Sequence, residues 1–284
     1  MRKIIVVILA VFLSGINASF SQAPTSNVLD GVYVREHYPY RPATALAYLR
    51  EADVMWSKKI WRVIDLKEKM NLPFAWPLSK QMKDRKSLID MIMDAVEEGS
   101  VTAYNEDEFI TPKTKEELAK IGGAGVDSTT ITDPEPPYNV HDTVIIREFS
   151  RDKIVAYRIK EEWFFDKQRS VMDVRIIGIA PLFYEVDEKG NQREGAKKVP
   201  TFWIYFPEIR GLLAQTECFN PHNDAERRTY DDIFQKRMFA SYIMKESNVF
   251  DRRIEEYRQG MDALVESERI KTDITNMEHD LWEY

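Results

Sequence analysis

The stretch Ile154-Val-Ala-Tyr-Arg-Ile-Lys-Glu-Glu-Trp-Phe-Phe-Asp166 decides the fold. Val155, Tyr157, Ile159, Trp163 and Phe165 fall on alternate positions, the period of a pleated strand with one face buried. Asp166 to Ser170 then reads as a turn, and Val171 to Val186 as a second long strand in which Gly178 and Pro181 mark a bulge or bend. Asp187-Glu-Lys-Gly-Asn191 reads as a hairpin loop. Phe202-Trp-Ile-Tyr-Phe206 is apolar on both faces, as a central strand is, and Pro207 suits the first turn of a helix over Glu208 to Gln215. With Val144-Ile-Ile146 upstream, the second half is expected to be an antiparallel meander of about four strands.

Outward from that meander the chain turns helical. Ile233, Phe234, Met238, Tyr242 and Ile243 predict an amphipathic helix from Thr229 to Lys245; Ile254, Tyr257, Met261, Leu264 and Val265 predict another reaching Glu268. The tail from Lys271 carries Met277, Leu281 and Trp282 as its only anchors. Upstream, Leu46, Leu49 and Val54 suggest a helix over Thr44 to Trp56, and Ile60-Trp-Arg-Val-Ile-Asp65 a strand. Ser87, with Asp90 three residues on, resembles a capping box for a helix that Gly99 closes. A surface helix is expected over Lys113 to Ile121. The run from Gly122 to Pro137 lacks apolar periodicity and reads as a flexible, then extended, linker. The expected class is therefore α+β: an antiparallel meander with flanking amphipathic helices, preceded by a helix-rich N-terminal segment. The expected divisions are 1–21, 22–121, 122–137, 138–250 and 251–284.

The first 21 residues read as an address. Met1-Arg-Lys3 is basic, Ile4 to Leu13 is an unbroken apolar run, and small and polar residues follow, the form of a secretory signal peptide cut after Ser21. That run is too short for a stable transmembrane helix, no other stretch is long enough, and no cysteine sits near the cut for lipid attachment. The expected location is the periplasm. Cleavage leaves 38 basic against 47 acidic side chains, an average that argues against nucleic acid as a partner.

Chemical signatures are sparse. Of 284 residues one is cysteine, Cys218, which excludes an internal disulfide framework and any multi-cysteine metal site. No nucleophile elbow, zincin helix, phosphate loop or dinucleotide fingerprint is present. Ser150-Arg-Asp-Lys153 fits a Ser-x-x-Lys pair but lies where a hairpin turn is expected. His37, His141, His222 and His279 are scattered; Cys218 with His222 and Asp224 reads as a polar loop, and Asn105-Glu-Asp-Glu108 lacks the ligand spacing of a calcium loop. No catalytic residue, cofactor or metal is expected.

Aromatic residues carry more information: 6 Trp, 13 Tyr and 14 Phe, many set among Arg and Lys. Aromatic and Arg side chains dominate protein–protein hot spots. Tyr33, Tyr38, Tyr40, Trp56, Trp61, Arg62 and Trp163 are the interface candidates.

Four blocks carry a resemblance. They are Leu49-Arg-Glu-Ala-Asp-Val-Met-Trp-Ser-Lys-Lys-Ile-Trp-Arg-Val-Ile-Asp-Leu-Lys-Glu-Lys-Met-Asn-Leu-Pro73, Glu162-Trp-Phe-Phe-Asp-Lys-Gln-Arg-Ser-Val-Met-Asp-Val-Arg-Ile-Ile-Gly-Ile-Ala-Pro181, Phe202-Trp-Ile-Tyr-Phe-Pro-Glu-Ile-Arg210 and Asn220-Pro-His-Asn-Asp-Ala-Glu-Arg-Arg-Thr-Tyr-Asp-Asp-Ile-Phe234. Together they resemble the gliding motility family GldN, called PorN in non-gliding relatives, from about Asn27 to Glu268. The resemblance implies a non-enzymatic periplasmic component of the type IX secretion system of Bacteroidetes. It implies a ring built by self-association with a GldK-like outer-membrane lipoprotein, contacted by the periplasmic domain of a GldM-like shaft. The residues alone leave open a second reading, a periplasmic peptide- or glycan-binding module that uses the meander's aromatics.

Overall fold

A computed structural model describes residues 41–77, 85–119, 125–132, 140–147, 153–185, 197–223 and 225–281. Its framework is β5 (Ile154–Asp166) paired antiparallel with β6 (Val171–Tyr184). On the outer side of β6 lie β7 (Lys198–Pro200) and β8 (Trp203–Tyr205), and β2 (Ala103–Tyr104) continues the sheet beyond β8. On the other side of β5 lie β1 (Val54–Asp65) and then β9 (Tyr242–Glu246), giving the order β2-β8-β6-β5-β1-β9 with β7 off the path. Every pairing is antiparallel, and with the helices below the class is α+β.

The main core forms where one sheet face meets helices. These are α1 (Leu72–Ala75), α2 (Leu88–Glu98), α4 (Phe206–Gln215) and α5 (Tyr230–Gln235), with Ile64, Tyr157, Ile159 and Ile179 contributed from the strands. As expected, α2 starts at Ser87, whose hydroxyl accepts from Asp90 N–H, and stops at Gly99 with φ 76°. Asn71 is fully buried; its amide donates to the carbonyls of Asp65 and Ala240 and accepts from Ala240 N–H, tying the end of β1 to the approach to β9. The opposite sheet face carries a smaller cluster of Trp61, Val63, Ala156, Ala180, Leu182, Trp203 and Met244. Phe109 and Tyr104 cover it. Gly178 is required there: a Cβ would stand 2.5 Å from Phe109 Cζ. The bulge expected around Gly178 is present, since Lys160 faces Gly178 while the next residue, Glu161, faces Ile176.

Several expectations are corrected. Thr44 to Trp56 is not a helix. Residues 41–50 are without regular structure, a single 3-10 turn covers Glu51–Asp53, and Val54 onward joins β1, where Trp56 pairs with Phe165. The Thr44 and Ala47 carbonyls, which a helix would use internally, accept instead from Arg210 and Arg175. The helix expected over Thr229 to Lys245 stops at Gln235, and Tyr242 to Glu246 form the edge strand β9. What stops it is a Schellman turn, with Met238 N–H on Ile233 O and Arg237 N–H on Phe234 O. The next expected helix is broken in two, α6 (Ile254–Tyr257) and α7 (Met261–Asp280), around Gly260 with φ 60°. Helix α7 carries the helical tail from Lys271 to Asp280, and α3 spans Lys115–Ala119.

Within the run read as a linker, β3 (Gly125–Thr132) pairs with β4 (Val140–Arg147) in a separate two-stranded sheet. The N-terminal segment contributes β1 to the interior of the large sheet, between β5 and β9, so the halves on either side of this hairpin share one sheet, and the described residues form one compact unit. The leader, the tyrosines at 33, 38 and 40, the loop at 187–191 and Ser150 to Asp152 lie outside the described residues.

Candidate interaction site

Beneath α7, β1 and β5 present one continuous row on the helix-covered face. Arg62 and Ile60 of β1 lie beside Glu161 and Trp163 of β5. By strand period Glu161 occupies a core position between Ile159 and Trp163, and it is fully buried. An ionised carboxylate there needs cations and donors. Arg237 donates to both of its oxygens at 2.9 and 3.2 Å, Trp163 Nε1 donates at 3.1 Å, and Arg62 Nε approaches to 3.2 Å. Burial pulls the Arg62 guanidinium below its ordinary range; Glu161 opposes that, and Arg237 adds to it. Both guanidiniums also approach the Trp163 ring, Arg62 to 5.8 Å and Arg237 to 5.5 Å, and Phe239 stacks on Arg237 at 5.3 Å.

Arg237 has φ 52°. This is the position after a helix where glycine is favoured, and a side chain there is strained. Its guanidinium satisfies Glu161, which gives the position a reason to be arginine. Arg237 also lines two cavities. One, of about 450 Å³, is bounded by Trp163, Phe239, Lys271 and Ile274. The other is a groove of about 700 Å³ under residues 46–54, floored by Phe164, Ile176, Tyr205 and Phe206.

Residues 41–50 cross that groove as a strap. Arg210, itself held by Asp231 at 3.2 Å, donates to Thr44 O at 2.6 Å. Arg175, stacked on Phe164 at 5.4 Å, donates to Ala47 O. Arg41 reaches Asp232 at 3.1 Å. Asp232 also completes the α5 capping box with Thr229. Burial raises the Asp232 titration, but the Thr229 hydrogen bonds and the charges of Arg41 and Lys236 outweigh it, and the net shift is downward.

The interface candidates separate by burial. Trp61 is buried: its indole donates to Asp107 at 2.8 Å, and Lys245 and Lys160 stack on it at 4.4 and 5.4 Å. That contact also gives the acidic run at Asn105 its use, as Asp107 additionally takes Lys160 at 3.4 Å. Arg62 is buried in the Glu161 network. Trp56 and Trp163 are half-buried, packed beside Ile60, Ile243, Ile254, Ile270 and Ile274. Glu161, Arg237, Arg175 and Arg210 were absent from the sequence-based candidates; an acid at a core-facing position of β5 was the one available signal for them.

A second surface lies at the loop after β9. Val249 is 97% and Phe250 71% exposed, on a loop braced by the Asn248 side chain. Asn248 donates to the carbonyls of Glu246 and Arg252 and accepts from the N–H groups of Phe250 and Arg252. Arg252 stacks on Phe250 at 4.4 Å. Met261, Leu264 and Val265, one exposed stripe of α7, are also apolar.

Cys218 is buried, and burial pushes its thiol up to about 12, the behaviour of an inert core side chain rather than a nucleophile. Among the described residues no group of three or more His, Cys, Asp or Glu side chains could hold a metal, and no helix is long and apolar enough to cross a membrane.

No curated protein matches the chain. The sequence profile of the family described as gliding motility associated protein GldN matches residues 49–283, which takes in the whole sheet, the Glu161 network and α7. The chain therefore belongs to the GldN family.

Proposed function

We propose that this protein is a non-enzymatic structural subunit of the gliding motility and type IX secretion machinery, located in the periplasm. In this reading it forms a ring by self-association with a GldK-like outer-membrane lipoprotein. It also contacts the periplasmic domain of a GldM-like shaft. The family match across 49–283 carries the reading. Three structural features support it: a braced loop that holds Val249 and Phe250 in solvent, the exposed apolar stripe of α7, and a hairpin, β3–β4, paired outside the main sheet. An isolated two-stranded hairpin is marginally stable in water, so a partner surface would stabilise it. A ring requires a heterologous contact repeated around an axis, with separate faces for the other partners.

The test is a pull-down of tagged mature protein from detergent-solubilised envelopes, read by mass spectrometry. Recovery of an outer-membrane lipoprotein in stoichiometric amount is the expected result; recovery of the protein alone would contradict the reading. The groove under the strap favours a second reading, a peptide- or glycan-binding module. Calorimetric titration of the isolated monomer with envelope-derived peptides and glycans would give saturable heats in that case and none under the ring reading.

A further inference from the structure

The strap over residues 41–50 combines two features that do not fit a finished intramolecular contact. Its attachment is specific: guanidiniums from β6 and α4 bind the carbonyls of Ala47 and Thr44, and Arg41 binds Asp232 of α5. Its packing is poor. Tyr48 is 88% and Leu46 44% exposed, and the groove of about 700 Å³ remains beneath it. The anchors use main-chain acceptors and one ion pair, so they are indifferent to which copy of the chain supplies the strap. On the strap's own side of β1 the braces are local: Arg50 Nε donates to the Asp53 carboxylate at 2.7 Å and Asp53 N–H to Arg50 O at 3.0 Å.

We propose that the strap is exchanged between neighbouring copies of this chain: residues 41–50 of one copy lie in the groove of the next, with the pivot at Arg50 to Asp53. Ten residues extended reach ~33 Å, enough to leave one groove and enter an adjacent one. Exchange replaces each cis bond by the same bond in trans, so the bonds themselves do not decide between the two. The choice falls to the effective concentration of the neighbour's groove, which is high once subunits are held side by side. The apposed neighbour also supplies cover for Leu46 and Tyr48. The complementarity that names the occupant is visible in the cis contact: Arg41 faces Asp232, and Arg175 and Arg210 face two carbonyls three residues apart. Only the assembled state of the neighbours rests on the ring reading.

The experiment uses two differently tagged copies of the full chain, co-expressed. One carries Pro42→Cys and the other Lys236→Cys. Both sites are exposed, Lys236 lies 3.8 Å from Asp232, and neither substitution removes an anchor. Cys218 is buried and stays out of the reaction. A short bis-maleimide is applied to the purified material, and the same pair placed on one chain serves as the cis control. Exchange predicts a covalent product carrying both tags, reduced several-fold by Arg41→Asp in the first copy and reduced further when Arg175→Gln is added to the second. A double-tagged yield unchanged by both substitutions would report proximity without exchange and overturn the proposal. Cross-linking confined to the cis control, with rings intact, would overturn the exchange and leave the ring reading standing. Exchange in dimers without rings would support the strap and count against the ring.

Discussion

Arg237 shows how one side chain can outweigh its own backbone preference. It occupies a left-handed position where glycine is favoured, yet its guanidinium is one of two serving a fully buried carboxylate. Arg237→Ala keeps the strained backbone and removes the cation. It should lower unfolding free energy by about 2 kcal/mol in urea titration, less than the full cost of an unpaired buried charge because Arg62 remains. Arg237→Gly should recover about 1 kcal/mol of that by relieving the backbone. An Arg237→Gly variant as unstable as Arg237→Ala would show that the backbone carries no strain. Gly178→Ala should cost about 2 kcal/mol by driving a methyl into Phe109. Combined with Phe109→Ala, the two losses should fall short of additive.

Both residues mark the limits of the sequence. The bulge at Gly178 was legible because glycine inside a strand pattern has few other uses. The reason for it was not, because Phe109 comes from a distant loop. Glu161 could be read as an acid in the wrong register, but its cations come from β1 and from the end of α5, contacts that no local period encodes.

At the scale of elements, period succeeded where it persisted and failed where it was short. The thirteen residues of β5 form one long strand as their period implied, although it is buried on both faces, and α2 shows its caps at both ends, so both were legible. Leu46, Leu49 and Val54 mimic a helical spacing, but pairing of Trp56 with Phe165 and the arginine contacts to the Thr44 and Ala47 carbonyls hold the segment extended. Met238, Tyr242 and Ile243 likewise continue a helical pattern after the Schellman turn has ended the helix.

The strap should respond to acid. Asp232 titrates below an ordinary carboxylate, so its contribution is fully present above the unfolded-state titration and is lost as pH falls through the depressed one. The mobility of a nitroxide attached at neutral pH to Pro42→Cys should therefore rise in that acid window, and Asp232→Asn should show the raised mobility already at neutral pH. A flat profile would place the strap's hold elsewhere. The β3–β4 hairpin gives a complementary prediction. Replacing residues 122–149 with a short Gly-Ser linker should leave the cooperative unfolding of the main sheet unchanged while impairing assembly.

Across the whole molecule, sequence identified the class, and the family match over 49–283 carries the assignment to the gliding motility group. Which surfaces face partners was the least legible part, because aromatic content does not distinguish core from interface: Trp61 is buried, whereas Val249 and Phe250 stand in solvent. Val249→Ser with Phe250→Ser should leave the melting temperature within about 2 °C, since both side chains stand mostly in solvent and the Arg252 stack on Phe250 is a surface contact, and should weaken association if the braced loop is a contact.

The most direct test of the central claim is negative-stain microscopy of the mature protein purified with its co-isolating lipoprotein. The account predicts closed rings of uniform diameter, lost when the braced loop is changed. Discrete monomeric particles at the concentrations found in the envelope would contradict it.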